Sequence, residues 1–89
     1  MFTVYALYSE KFDKIYIGQT DKLERRIVEH NEGLLSVYTK RYRPWQIIYT
    51  EVFATRTQAL KREKQLKSQK GREFIWDLIR EKKVAGSIR

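Results

Sequence analysis

The densest apolar stretch lies at the start of the chain. Phe2-Thr3-Val4-Tyr5-Ala6-Leu7-Tyr8 is a β-branched and aromatic run, and Lys14-Ile15-Tyr16-Ile17-Gly18 is a second. Between them stands the short polar segment Ser9-Glu10-Lys11-Phe12-Asp13. Two such runs with a reversal between them predict a β-hairpin. If Ser9 pairs with Lys14, Leu7 opposes Tyr16, and Tyr5 shares their face two residues away. Gly18 is expected at the strand exit, where its missing side chain allows a turn or a close backbone approach.

The pattern then changes period. Leu23, Ile27 and the region of His30 recur at helical spacing and predict a helix over about 22–31. Asp21 is its expected N-cap with Glu24 in capping-box position, and Asn31-Glu32-Gly33 ends it. Leu34 to Arg43 shows no clear period and has room for a short helical turn. Pro44 opens the next element, and Trp45 to Phe53 has the composition of a third strand. Thr55 with Gln58 forms a second capping pattern, and Ala59, Leu60 and Leu66 mark a helix over about 56–68. Gly71 is expected to separate it from a final helix striped by Phe74, Ile75, Leu78 and Ile79. The tail from Lys82 to Arg89 carries little core material and is expected to fray.

The order ββαβαα predicts an α/β (α+β) domain, a three-stranded antiparallel sheet flanked by helices. The chain's 89 residues suit one domain over 1–89, with a core over about 3–80 and a basic C-terminal tail. With no cysteine, disulfides, thiolate metal sites and a cysteine nucleophile are excluded, and one histidine excludes a His-rich zinc cluster. No apolar run reaches the length of a membrane span, so no membrane partner is expected. The first residues lack a secretory leader, which makes cytoplasm the expected location.

Charge sharpens the picture. The net charge is +8, but residues 1–38 hold five Lys/Arg against six Asp/Glu, and residues 39–89 hold fourteen against five. An excess gathered in one half points to a polyanion partner, nucleic acid above an anionic membrane surface; lysines that only keep a small protein soluble are the plainer account. The expected phosphate contacts are Lys40, Arg41 and Arg43, with Lys61, Arg62, Lys64, Lys67, Lys70 and Arg72, and binding should weaken steeply with salt.

Candidate chemistry gathers on a few side chains. Ala59, Glu63 and Leu66 fall within about 60° of one another on a helical wheel. A carboxylate in that seam must be hydrogen-bonded, paired or metal-bound, since a bare buried charge is costly. Arg62, Lys64 and Lys67 are near enough in sequence for an ordinary ion pair. Tyr5 and Tyr16 converge if the hairpin register holds, although core packing accounts for most tyrosine pairs. Arg26 and His30, one turn apart, share a helix face. Arg26 offers a planar fork suited to phosphate, and His30 a neutral proton acceptor or positioning group.

Taken together these residues resemble the GIY-YIG endonucleases. Val4-Tyr5-Ala6, followed eleven residues later by Tyr16-Ile17-Gly18, is similar to the paired motifs that name the family. The likeness continues through Leu23 to Asn31, Tyr38-Thr39, Pro44-Trp45 and Ala59-Leu60-Lys61-Arg62-Glu63, over roughly residues 3–80. In length and register it is most similar to small stand-alone bacterial proteins related to the amino-terminal nuclease domain of the excision-repair endonuclease. The first motif departs from the named form, reading Val-Tyr-Ala, and Gln19 stands where repair-enzyme relatives often carry lysine. No second domain is expected, and family members with defined targets take recognition from attached modules.

The resemblance implies hydrolysis of DNA phosphodiesters with one divalent cation, Mg²⁺ or Mn²⁺, with repair or branched structures as targets. It implies Glu63 as the metal-binding carboxylate, Tyr5 or Tyr16 as the base, Arg26 on the transferring phosphate, and His30 orienting or relaying. A tyrosine base needs nearby cationic charge to favour its phenolate. The alternative is a nucleic-acid-binding accessory domain of the same fold with little turnover. A homodimer is compatible with either.

Overall fold

The computed structural model describes residues 1–84. It contains β1 (Phe2–Ser9), β2 (Lys14–Thr20), α1 (Leu23–Glu32), α2 (Val37–Arg41), β3 (Gln46–Phe53), α3 (Arg56–Lys67) and α4 (Gln69–Val84). The strands form one antiparallel sheet in the order β2-β1-β3. The expected hairpin register is present, with Ser9 opposite Lys14, Leu7 opposite Tyr16 and Tyr5 opposite Gly18. The reversal uses Asp13 at φ 54, a left-handed conformation that Asp tolerates. The Tyr8 hydroxyl donates to Asp13 Oδ1 at 2.8 Å and ties the turn to the central strand.

β1 is covered on both faces, which is why its sequence reads as an unbroken apolar run and not as an alternation. On one face Val4, Ala6 and Tyr8 meet Ile15, Ile17 and Ile48 beneath Ala59 and Leu66 of α3 and Ile75 and Ile79 of α4. On the other, Tyr5 and Leu7 meet Trp45, Tyr16 and Tyr42, with Leu23 and Ile27 of α1. Each large side chain buried here stabilises the fold by roughly 1.5–3 kcal/mol. The first face is the main core; the second carries Tyr5 and Tyr16.

Several element ends differ from expectation. Asp21 does not cap α1: β2 continues to Thr20, so the N-cap position falls on Lys22, which offers no side-chain acceptor. The Thr20 hydroxyl accepts the Lys22 N–H instead, at 3.1 Å. Gly33 ends α1 at φ 75 as expected, its N–H donating to the His30 carbonyl at 3.2 Å. The unplaced segment 34–43 contains α2, capped by Ser36, whose side chain accepts the Thr39 N–H at 3.1 Å. The Thr55–Gln58 capping box is present in both directions.

Gly71 is not the break between the last two helices. The chain breaks at Ser68, in extended backbone, and Gly71 lies in the first turn of α4. A Cβ there would overlap the Gln65 carbonyl and sit 2.6 Å from the Leu66 carbonyl carbon. Glycine is needed for close approach of the two helices, not for a turn. The expected tail is also shorter: α4 runs to Val84, and Lys82 Nζ donates to the Ile48 carbonyl at 3.2 Å. Residues 85–89 of that tail lie outside the described residues.

Candidate active site

The site is built on the face of the sheet that α1 and α2 cover. Gly18 is within β2 and not at a turn, contrary to expectation, because the strand runs on to Thr20. Its cross-strand partner is Tyr5, whose ring lies over it. A Cβ on Gly18 would stand 2.6 Å from the Tyr5 hydroxyl and 2.8 Å from Cζ, so the glycine is a cradle for the phenol. The pairing thus fixes a buried ring where any side chain would displace it.

From that cradle the Tyr5 hydroxyl reaches His30 Nε2 at 3.0 Å. His30 occupies the last turn of α1 and is 1% exposed, with Nδ1 buried and unpartnered. Burial pulls its pKa down to about 4, with Arg26 pushing the same way and Glu29 opposing. Burial also pushes the Tyr5 phenol well above its ordinary value; Tyr16 adds to this, Arg26 opposes, and Glu63 and Glu29 add further. Both groups are therefore neutral near pH 7. Imidazole nitrogen is a far stronger base than phenol oxygen, so Tyr5 donates and His30 accepts. The expectation that cationic charge would hold a motif tyrosine as phenolate is not met at Tyr5: one arginine does not outweigh burial and two carboxylates.

Tyr16 lies beside this pair, its ring centroid 4.8 Å from His30 and 6.4 Å from Tyr5. Unlike the buried Tyr5, it is only half-buried. Arg26, one turn before His30, is loosely held, with Nε 3.8 Å from a Glu29 oxygen and the side chain 41% exposed. It lines a cavity of about 280 Å³ with Thr20, Asp21, Lys22, Arg25 and Glu29. Glu63 comes from α3, which packs on β1 and β2, and its charge acts on the Tyr5 hydroxyl. Its side chain is 18% exposed and bonded to Lys67 Nζ at 2.7 Å, the ordinary ion pair that the helical spacing allowed.

The basic side chains differ in what they touch. Lys67 sits on Glu63, Lys64 is exposed on α3, and Arg72 is near enough to Tyr38 to act on its hydroxyl. Lys40 and Arg43 pack against Gly33 at the end of α1, and Arg41 lies over the Tyr42 ring at 5.5 Å. Arg62 turns toward β3, donating to Glu51 at 3.2 Å, and lines two other cavities of about 350 and 290 Å³ with Lys61 and Lys70 respectively. None of those three lines the cavity of Arg26.

Sequence reasoning gave no role to the wall behind Tyr16. The Trp45 ring is 6.4 Å from Tyr16 and stacks on Tyr38 at 6.0 Å, while its indole N–H donates to the Thr39 carbonyl at 2.8 Å. Asn31 clasps the Trp45 backbone, accepting its N–H at 2.6 Å and donating to its carbonyl at 3.2 Å. This locks the end of α1, and hence His30, to the start of β3. The density of aromatics at 38, 42 and 45 was the available signal.

The His30 environment sets a pH dependence of stability. The unfolded chain binds the imidazole proton below about pH 6.5 and the folded chain only near pH 4, so the unfolded state holds more protons across that window. Stability is full above pH 6.5 and falls as the pH drops toward 4, by up to about 3 kcal/mol. Urea midpoints measured from pH 7 to 4.5 should show this slope. His30→Gln should flatten it, and an equal slope in the variant would assign the effect elsewhere.

Residues 1–75 match the family model described as the GIY-YIG catalytic domain. A UPF0213 protein of Staphylococcus saprophyticus is 43% identical over 58 residues, which are 65% of this chain and 71% of that one. A UPF0213 protein of the archaeon Haloquadratum walsbyi is 43% identical over 56 residues, 63% of each chain. The solution structure of a UPF0213 protein from Bacillus halodurans matches 88% of this chain and 85% of its own, with 28% identity and a TM-score of 0.51.

Proposed function

The chain belongs to the GIY-YIG family, a family of nucleases, and from that premise we propose that it cuts DNA by phosphodiester hydrolysis with one divalent cation. The observation that carries the reading is the grouping of Tyr5, Tyr16 and His30 within ring contact, flanked by a loosely held arginine and a mostly buried carboxylate.

The donor set fits a single hard cation. Glu63 is a lone oxygen ligand, and no three His, Cys, Asp or Glu side chains gather for a metal among the described residues. That suits Mg²⁺ or Mn²⁺, which keep waters and accept phosphate oxygens in the remaining positions. Bound there, the ion neutralises charge on the phosphate and the leaving oxygen. The Lys67 side chain, 51% exposed, is free to swing off the carboxylate.

The chain's own groups divide the remaining work. Tyr16, the more exposed tyrosine, acts as its phenolate: its own proton leaves to solvent, and the oxygen then takes the proton of the attacking water. Tyr5 stays protonated and, through its hydrogen bond, sets the plane of His30 against the Tyr16 ring. Arg26 leaves its long Glu29 contact to pair with the phosphate and holds charge that develops in the transition state.

The test is scission of flap, junction, nicked and single-stranded DNA with Mg²⁺ or Mn²⁺, and with a chelator in its place. Cleavage of at least one substrate, abolished by the chelator, is the expected result. Arg26→Ala should then cut bound, saturating DNA about 10²-fold more slowly with its Kd changed less than threefold. Salt-sensitive binding without scission of any substrate would overturn the reading in favour of an accessory nucleic-acid-binding domain.

A further inference from the structure

Beside Tyr16 lies a group of rings that the proposed hydrolysis does not use. Tyr38 is the second residue of α2, and it is 39% exposed. Its hydroxyl is tied down, donating to the Ile15 carbonyl at 3.1 Å. The ring stacks on the buried Trp45 at 6.0 Å with an interplanar angle of 26°. An aromatic side chain fixed at its polar tip, backed by an indole and still open to water presents ring surface, and presents it rigidly.

The surroundings extend this surface. Tyr42 meets Tyr38 edge-on at 5.0 Å, and on its other flank meets Phe12 of the hairpin turn at 5.5 Å. Phe12 is 38% exposed. Lys14 and Arg41 lie over the Tyr42 ring at 5.3 and 5.5 Å, so cations are interleaved with the rings. Tyr38 is 6.4 Å from Tyr16, roughly the rise of two stacked nucleotides.

The geometry points to a stacking platform for an unpaired DNA base, centred on Tyr38 and continued by Phe12, one to two nucleotides from the cut bond. Exposed rings take the faces of nucleobases, and the interleaved cations take the intervening phosphates. A base inside a duplex hides its faces in the stack and cannot use such a platform. The substrates are therefore DNAs with an unpaired nucleotide beside the scissile phosphate. The position of the cut relative to the platform rests on the hydrolytic reading above; the platform itself does not.

Binding is measured with a labelled ten-nucleotide oligothymidylate and a blunt ten-base-pair duplex, both with chelator, at low and at raised salt. Tyr38→Ala should weaken binding of the single strand about tenfold and of the duplex less than twofold. Tyr38→Phe, which keeps the ring, should bind like the unaltered protein. The tenfold loss should persist at raised salt, since stacking releases no counterions, whereas the effect of Arg41→Ala should shrink. Should Tyr38→Ala fail to fold by circular dichroism, Phe12→Ala in the exposed turn decides, with a smaller loss confined to the single strand. Single-strand binding unchanged in the folded variants, or equal loss on both DNAs, would overturn the platform. Failure to bind either DNA would overturn it too and leave the surface to a protein partner. Absence of scission with the single-strand preference intact would remove the nuclease reading and leave the platform standing.

Discussion

Replacing Glu63 by alanine is expected to slow DNA scission about 10³-fold and to leave DNA binding as tight as before, or tighter. The rate effect follows from what the carboxylate contributes: a metal's neutralisation of phosphoryl charge is worth several kcal/mol, and each 1.36 kcal/mol is about tenfold in rate. Among the described residues no group of three His, Cys, Asp or Glu gathers to hold the ion without it. The binding effect follows from charge. Glu63 neutralises Lys67 at 2.7 Å, so its removal frees an ammonium close to where phosphate would lie and deletes a negative charge that repels it. The measurement is single-turnover cleavage at saturating DNA beside an equilibrium titration with chelator. Glu63→Gln, which keeps the shape and loses the charge, should behave like the alanine variant. Cleavage within tenfold of the unaltered protein in both variants would remove the carboxylate from the chemistry and leave it as the partner of Lys67.

How much of this site could be read from residues alone depended on which features are local. The hairpin register required only a pairing of Ser9 with Lys14, and from it the shared face of Tyr5 and Tyr16 followed by parity. The sharing of a face by Arg26 and His30 needed only the helical repeat. Glu63 was visible because a charge interrupted an apolar seam, and both readings of that seam have substance, burial on one side and the Lys67 ion pair on the other. Gly18 was placed at a turn because a glycine after an apolar run commonly marks one. Its reason is a ring on the next strand, a tertiary contact with no trace in nearby sequence. Asp21 was given a cap because nothing local shows that β2 continues through Thr20. The basic residues of α3 were grouped by sequence, but a helix distributes adjacent residues around its axis, and Arg62 turns to Glu51 while Lys67 turns to Glu63. The aromatic wall was missed for a similar reason. Tyr38, Tyr42 and Trp45 fall in a stretch without clear period: the first two meet one turn apart on the short α2 and its C-cap, and Trp45 joins them through its indole bond to the Thr39 carbonyl and its clasp by Asn31.

Tyr16→Phe should lower cleavage of saturating DNA by about 10²–10⁴-fold, the usual contribution of a positioned base, with Kd unchanged within about threefold. The substitution removes one oxygen and keeps the ring, so the contacts of Tyr16 with His30, Tyr38 and Trp45 survive and folding should be little affected. Tyr5→Phe makes the opposite trade. Tyr5 is 2% exposed, its hydroxyl is bonded to a buried histidine, and burial holds its proton in place. A group in that position is poorly suited to collect a proton from water and well suited to hold a neighbour. Its loss leaves His30 Nε2 without a partner beside an Nδ1 that already lacks one, which should cost about 1–3 kcal/mol of stability. The cleavage defect of Tyr5→Phe should therefore be smaller than that of Tyr16→Phe and should come with a lower urea midpoint, which Tyr16→Phe should leave nearly unchanged. The two variants thus separate proton transfer from positioning by measurements that do not depend on each other. If Tyr5→Phe abolishes scission while Tyr16→Phe cuts at the normal rate, the roles are exchanged, and the bound cation must bring enough positive charge to Tyr5 to overcome its burial.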